Sequence, residues 1–229
     1  MRDGVSVVIS CDDEYPKRFL DLRQPPPFLF WWGNLALVGR RGVGMCGSRD
    51  ASERGLKYAR TFGRAVVERG LQVVSGYARG VDMETHLGAL EANGSTVIVL
   101  AEGITYFRKK RASAGMRFDE TNVLAISQFP PTQPWAASAA MTRNAVIAAL
   151  SQAMLVVEAG EKGGTLNAGL QAIDMGRAVY AIAYSDDPPP GNEVLFGRGA
   201  VPLRSSGELL STLDGLASIE EPKQLAIGE

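Results

Sequence analysis

The chain has 229 residues, of which 45% are hydrophobic and 21% charged; this composition suits a globular protein with a substantial core and argues against disorder. Its formal net charge is −1, so binding to a polyanion requires a local cluster of basic residues. The two cysteines, Cys11 and Cys46, lack the spacing of a disulfide framework or a zinc site. The N-terminal apolar run is too short for a signal peptide, and no stretch approaches the ~20 apolar residues of a membrane span. We therefore expect a cytoplasmic protein without membrane contact.

The first 40 residues differ from the rest of the chain. Val5–Ile9 predicts a short strand, chain-breaking prolines follow, and Phe28–Trp32 is an aromatic run. We interpret residues 1–40 as an irregular N-terminal extension that packs its aromatic side chains on a main domain over residues 41–217. Residues 218–229 are expected to form a frayed tail.

From residue 41 onward, short apolar runs alternate with segments of helical periodicity. The apolar runs predict strands at Val43–Cys46, Leu71–Val74, Thr96–Leu100, Val123–Ile126, Ala153–Val157 and Ala178–Ile182. Helices are predicted over residues 52–69, 80–92, 136–150, 165–175 and 206–216, and a proline-rich loop over residues 185–192. The alternation predicts an α/β, Rossmann-like fold whose mostly parallel sheet has helices on both faces. Ligands of such folds bind beyond the carboxyl ends of the strands, so the loops that follow the strands are the candidate site.

The loop after the first core strand contains Gly47, Ser48 and Arg49. A glycine allows a ligand to approach the backbone closely, the serine offers a hydroxyl, and the guanidinium suits a phosphate or a base edge. The tripeptide is equally consistent with a tight turn that carries a surface arginine.

The loop after the second core strand runs from Ser75 to Asp82 and contains Gly76 and Gly80. Two glycines four residues apart at a strand-to-helix junction predict backbone amides that face an anion. The spacing is neither the dinucleotide fingerprint nor a P-loop. We interpret His86, the only histidine, as structural, because the sequence offers it no serine or cysteine nucleophile nearby.

A third glycine turn follows the fifth core strand, where Lys162, Gly163, Gly164 and Thr165 precede a helix. Free amides at a helix start, with a hydroxyl and an ammonium group beside them, predict an anion cradle; the alternative is a flexible turn with a threonine N-cap. Two further features are Arg143-Asn144 and the basic run Arg108–Arg111. The former must face a groove or be paired, and the latter is either a solvated loop or a track for a DNA backbone.

Taken in order, these segments resemble the DprA/Smf family over about residues 15–203. The motifs that carry the resemblance are MCGSR at 45–49, SGYARGVDMETHLGAL at 75–90, TRNAVIAALS at 142–151, a VVEA strand end before the Gly-Gly turn, and Pro-Gly-Asn at 190–192. The resemblance implies binding of single-stranded DNA without catalysis and without a cofactor or metal. It also implies a homodimer and the loading of a RecA-type recombinase in DNA uptake or recombination.

The residues that we assign to DNA phosphates are Gly47, Ser48, Arg49, Ser75, Gly76, Gly80, Arg143, Asn144, Lys162, Gly163, Gly164 and Thr165. We expect Arg49 and Arg143 to be exposed in one groove, so that removing both leaves the melting temperature nearly unchanged.

Three positions depart from the family pattern. Ala140 stands where the family has an aromatic residue, Ala145 replaces its second arginine, and Gln128 replaces a glutamate. The sequence therefore predicts that a base-stacking platform is missing, and we expect no winged helix of the kind that many members carry at the C-terminus.

Two other functions are consistent with the same loops. One is a nucleotide sensor or nucleoside-monophosphate phosphoribohydrolase on a related Rossmann-like fold, with Glu158 as its acid–base residue. The other is a recombinase-interacting partner that has lost its DNA site.

Overall fold

The computed structural model describes residues 4–20 and 22–219, and its centre is a single nine-stranded sheet. The strands are β1 (Val5–Ile9), β2 (Phe28–Gly33), β3 (Gly42–Cys46), β4 (Gln72–Ser75), β5 (Thr96–Val99), β6 (Val123–Ser127), β7 (Ser151–Val156), β8 (Ala178–Ile182) and β9 (Val201–Leu203). The helices are α1 (Glu53–Glu68), α2 (Val81–Glu91), α3 (Ala137–Ala149), α4 (Gly164–Asp174), α5 (Pro190–Gly197) and α6 (Ser206–Ser218).

The strand order is β1-β2-β6-β5-β4-β3-β7-β8-β9. The pairs from β6 to β9 are all parallel, whereas β2 pairs antiparallel with both β1 and β6. The chain moves outward in one direction from β3 to β6 and then returns to add β7 on the other side of β3. The junction of β3 and β7 is therefore the topological switch point, where ligands of Rossmann-like folds bind.

Helices cover both faces of the sheet. Side chains of α1, α2 and α6 form one buried cluster with inward-facing residues of β3 and β4, such as Val43 and Val73. On the opposite face, α3, α4 and α5 pack against Val74 and Val97, with Ile147 and Leu195 at the centre of that cluster. The predicted α/β, Rossmann-like class with a mostly parallel sheet is confirmed.

The N-terminal segment is more regular than its sequence predicts. The aromatic run forms β2, whose Phe30 and Trp32 lie opposite Ser127 and Ala125 of β6, and β1 extends the sheet beyond it. Phe19, which lies in the segment of the chain that connects β1 to β2, is fully buried. Strands on both sides of residue 40 thus belong to one sheet, and the division of the chain at that residue stays a prediction.

Two elements near the C-terminus are also absent from the sequence-based expectations. The proline-rich loop leads into α5, where Pro190 occupies the first turn. An amide at that position would have no hydrogen-bond acceptor within the helix, so a proline there costs no hydrogen bond. Val201–Leu203 forms β9 at the sheet edge. The last helix reaches Ser218, two residues beyond its predicted end, and most of the expected tail lies outside the described residues.

Within residues 4–20 and 22–219, no helix is long and apolar enough to cross a membrane.

Candidate functional site

A cavity of about 470 Å³ lies at the switch point, beyond the carboxyl ends of β3 and β7. The loops after β3, β4, β6 and β7 line it together with one face of α3. Its lining includes Gly47, Ser48, Arg49, Ala78, Asp82, Trp135, Ala140, Met141, Arg143, Asn144, Lys162, Gly163, Gly164 and Thr165. The structure therefore brings nine of the twelve predicted site residues together, and Ser75, Gly76 and Gly80 lie behind the cavity wall.

One wall of the cavity is the start of α4. Gly163 precedes the helix with a φ of +112°, a conformation that side-chain-bearing residues rarely adopt. The first four amide groups of a helix have no intrahelical acceptor, so the amides of Gly163–Leu166 are available to an anion. Lys162, which is exposed, adds a positive charge at the same turn.

The loop after β3 is fixed by backbone contacts on both sides. The Ser48 amide donates to the carbonyl of Glu158 at 2.8 Å, and the Ser48 carbonyl accepts from the amide of Val81 at 3.2 Å. The Ser48 hydroxyl accepts from the amide of Asp50 at 3.0 Å. These bonds join the β3 loop to the β7 loop and to α2, so that Arg49 projects from a rigid turn.

The guanidinium of Arg49 is exposed and lies 4.8 Å from the centre of the Trp135 ring. Within the described ranges, no carboxylate lies within 4 Å of it, and the neighbouring Asp50 pairs with Arg79 at 2.7 Å. Arg49 can therefore receive a phosphate without breaking an ion pair.

Arg143 differs from the sequence-based expectation, because only 7% of it is exposed. Its Nη1 donates to the carbonyl of Val99 at 2.7 Å, and the buried Asp82 lies close by. Burial lowers the pKa of Arg143 and raises that of Asp82, while each charge opposes the shift of the other. The prediction of an exposed Arg143 is wrong: it reaches the cavity wall from within the protein.

Within the loop after β4, Ala78 lines the cavity, whereas Ser75, Gly76 and Gly80 support the site from behind. The Ser75 hydroxyl is fully buried and donates to the carbonyl of Met45 at 2.6 Å. A Cβ on Gly76 would lie 2.1 Å from the Arg143 guanidinium, and one on Gly80 would lie 2.4 Å from the carbonyl oxygen of Ser48. The two glycines permit close packing of neighbouring loops, and neither lines either cavity.

His86 is fully buried beneath the same loop. With the ring neutral, its Nε2 donates to the carbonyl of Gly76 at 2.5 Å and its Nδ1 accepts from the Thr96 hydroxyl at 2.7 Å. Burial lowers the pKa of His86 to about 4, so the ring is neutral at neutral pH. These contacts join α2 to β4 and β5, in agreement with a structural histidine.

Asn144 connects α3 to the start of α4. Its side-chain amide donates to the carbonyl of Gly164 at 3.3 Å and to the Asn167 side chain at 3.4 Å. It lines the cavity but is 8% exposed, so its role in the structure is to position the glycine turn.

The Glu158 side chain, in the loop after β7, forms hydrogen bonds within the protein and does not line the cavity. Its carboxylate accepts from the Ser52 amide at 2.8 Å, from the Ser52 hydroxyl at 2.5 Å and from the Tyr184 hydroxyl at 3.0 Å. It thereby anchors the start of α1, where Ser52 also caps the helix by accepting from the Gly55 amide. Glu158, the acid–base candidate for a phosphoribohydrolase, is therefore occupied by hydrogen bonds that hold the start of α1 in place.

A second cavity of about 430 Å³ adjoins the first. Arg49, Ala78, Trp135 and Arg143 line both cavities, and the second adds Tyr77, Arg79, Leu100, Ala101, Glu102, Tyr106, Arg108 and Lys110. Two members of the basic run thus lie beside the glycine turns. Sequence reasoning did not identify Trp135, which lies in a loop, or Tyr106, which ends a three-residue 3-10 helix, because segments this short have no periodicity that marks a residue as important.

Seven parallel strands in this order, with glycine turns at the switch point, define an α/β protein of the Rossmann-like class. Residues 6–214 match the family model of DNA recombination-mediator protein A, so the chain belongs to that family. The protein Smf of Escherichia coli is 32% identical over 210 residues, which are 90% of this chain. The chain spans 56% of the length of the Smf proteins that it matches in E. coli and Synechocystis.

Solved structures agree with this assignment. DNA processing protein A (DprA) of Streptococcus pneumoniae superposes with a TM-score of 0.80 at 29% identity, over 91% of this chain and 74% of that one. The Helicobacter pylori protein, whose structure is described by its single-stranded DNA binding mode, gives a TM-score of 0.79 at 21% identity, over 91% and 95% of the two chains. At that identity, the second match shows the fold alone.

Proposed function

We propose that this chain binds single-stranded DNA at the switch-point cavity and does not catalyse a reaction. The observation that carries the proposal is the position of the exposed Arg49 and Lys162 on the same cavity as the free amides of α4. A helix N-terminus and unpaired cations favour a phosphate group, and a strand offers one at every nucleotide. The overall charge of −1 gives no general attraction for DNA, so this local cluster has to supply it.

In the cell, the bound strand would be protected and passed to a RecA-type recombinase, with the protein acting as a homodimer in the cytoplasm. Support for this part of the proposal comes from membership of the recombination-mediator family.

A mononucleotide is the second candidate ligand, because a cavity of about 470 Å³ falls in the size range of small-ligand sites. The engagement of Glu158 with Ser52 and Tyr184 argues against hydrolysis of such a ligand.

The test measures binding of a labelled 20-nucleotide single strand by fluorescence anisotropy at several salt concentrations. Replacing Arg49 or Lys162 by alanine should weaken binding and flatten the plot of log K against log salt by roughly 0.7 for each lost phosphate contact. Arg198→Ala is the matched control, because Arg198 is an exposed arginine on neither cavity. Equal binding by all four proteins would contradict the proposed site. Calorimetric binding of a mononucleotide, with no binding of the strand, would favour the second candidate.

A further inference from the structure

Trp135 is a large aromatic residue left 47% exposed on the wall between the two cavities. Leaving so much aromatic surface in water costs hydrophobic free energy that burial would recover. The Arg49 guanidinium, 4.8 Å from the ring centre, covers part of one face. A cation beside an open ring is an arrangement that receives a base stacked on the ring and a phosphate paired with the cation.

The loop that carries Trp135 is held in place. The amide of Gly103 donates to the carbonyl of Gln133 at 2.8 Å, and the amide of Thr105 donates to the carbonyl of Pro131 at 3.1 Å. The Thr105 hydroxyl donates to the same Pro131 carbonyl at 2.5 Å. Because the backbone is fixed just before Trp135, the ring is presented with little loss of conformational entropy on binding.

The second cavity has the chemistry of a base site. Besides Trp135 it is lined by Tyr106, which is 49% exposed, and by Tyr77, whose ring is covered by the Lys110 ammonium at 4.2 Å. Glu102 lines the same cavity, and a carboxylate there can accept hydrogen bonds from the amino group of a base. The first cavity, with the α4 amides and Lys162, suits the phosphate instead.

We propose that Trp135 stacks on a base of the bound strand in the second cavity, while the adjoining phosphate lies in the first cavity at the α4 amides. The inference rests on the proposed binding of single-stranded DNA. It also revises the expectation, drawn from Ala140, that a base-stacking platform is missing, because Trp135 lines the same cavity as Ala140 and offers one. Arg49, which lines both cavities, lies at the boundary between base and phosphate.

The first test compares three variants by anisotropy with the same 20-nucleotide strand. Because stacking on an aromatic side chain contributes about 1–3 kcal/mol per base, Trp135→Ala should weaken binding by about 5- to 150-fold. Trp135→Phe, which keeps a ring, should recover most of the affinity. Val194→Ala is the matched control, since Val194 is 45% exposed and lines neither cavity; it should bind as the parent does.

The second test separates stacking from any general effect on the fold. A single abasic site is moved along the oligonucleotide, so that one base is missing at a time while every phosphate remains. The parent should lose at least fivefold in affinity at one or two positions, and Trp135→Ala should show no such loss, because its platform is already gone.

The outcomes distinguish this inference from the function on which it rests. If the parent binds the strand with the expected salt dependence but Trp135→Ala binds equally well, or if both proteins respond alike to abasic sites, the stacking role is overturned and DNA binding stands. If the parent does not bind the strand at all, both proposals fail.

Discussion

Arg49 and Arg143 line the same cavity but occupy opposite environments. Arg49 is exposed and contacts the face of Trp135. Arg143 is 7% exposed, donates to the carbonyl of Val99 and lies beside the buried Asp82. A charge removed from water is retained only when nearby groups compensate it, so Arg143 supports the cavity wall as well as its electrostatic potential.

This difference predicts different effects on stability for the same substitution. Arg143→Ala leaves Asp82 buried without its neighbouring cation and the Val99 carbonyl without a donor, so it should lower the free energy of unfolding by about 3 kcal/mol. Arg49→Ala should change it by less than about 1 kcal/mol, because an exposed side chain contributes little. Urea unfolding of the two variants beside the parent checks this. Equal stability of the two variants would mean that Arg143 has no supporting role.

At the level of secondary-structure elements, the proposed DNA binding depends on where α4 begins. Gly163, just before the helix, is the residue whose left-handed conformation turns the chain into the cavity. Gly176, just after the same helix, also has a positive φ, of +71°, but lies outside both cavities. A Cβ at either position would meet open space, so the main effect of a side chain there is backbone strain.

The two glycines therefore provide a matched pair of substitutions. Gly176→Ala should lower the free energy of unfolding by about 1 kcal/mol, and Gly163→Ala by about 1–3 kcal/mol, because the φ of +112° and ψ of −170° at Gly163 are adopted almost only by glycine. Only Gly163→Ala should also weaken binding of single-stranded DNA, because it shifts the α4 amides that we propose as the phosphate site. Thermal unfolding and anisotropy measured on the same preparations give both quantities. A binding loss of equal size in Gly176→Ala would show that strain anywhere in α4 is sufficient and that the turn itself has no special part.

The sequence predicts the local elements well and the contacts between distant ones less well. The six apolar runs correspond to β3 to β8, and their predicted bounds agree with the observed ones to within one or two residues. Each of these strands is determined by its own hydrophobic pattern. The strand β2 was missed although aromatic residues favour strands, because the prolines just before it suggest an irregular segment and its partner β6 lies about 90 residues away. The end of β4 differs by one residue from its prediction, and Ser75 lies within the strand with its hydroxyl bonded inside the protein.

The candidate site shows the same limit. Glycine turns after strands were visible in the sequence, because a backbone requirement is local to the turn. The burial of Arg143 depends on how α3 packs against β5, and the position of Trp135 depends on the contact of its loop with Gly103 and Thr105. Both are tertiary relations that no sequence spacing encodes.

For the whole molecule, the sheet makes the N-terminal residues part of the common core. Tyr15 and Phe19 are buried in the cluster that also holds residues of α3 and α4. Trp32 of β2 packs against Phe107 and Phe118, with ring centres 5.5 and 6.2 Å away. Phe107 is also 5.6 Å from Tyr77, which lines the second cavity, so the N-terminal strands support the wall of the proposed base site.

We therefore expect that a chain lacking residues 1–33 does not fold stably. The deletion removes the buried side chains of Val8, Tyr15, Phe19, Leu22 and Leu29. Full burial of one such side chain contributes about 1.5–3 kcal/mol, and the total stability of a protein is on the order of 5–15 kcal/mol. It also uncovers the backbone of β6, an edge that can pair with other chains and cause aggregation. The full chain should unfold in one transition, with far-ultraviolet circular dichroism and tryptophan fluorescence changing together. The truncated chain should be insoluble or lack a cooperative transition. A truncated chain that stayed soluble and melted at the temperature of the full chain would contradict this expectation. The N-terminal residues would then be an independent extension, and their contacts with the core would not contribute to stability.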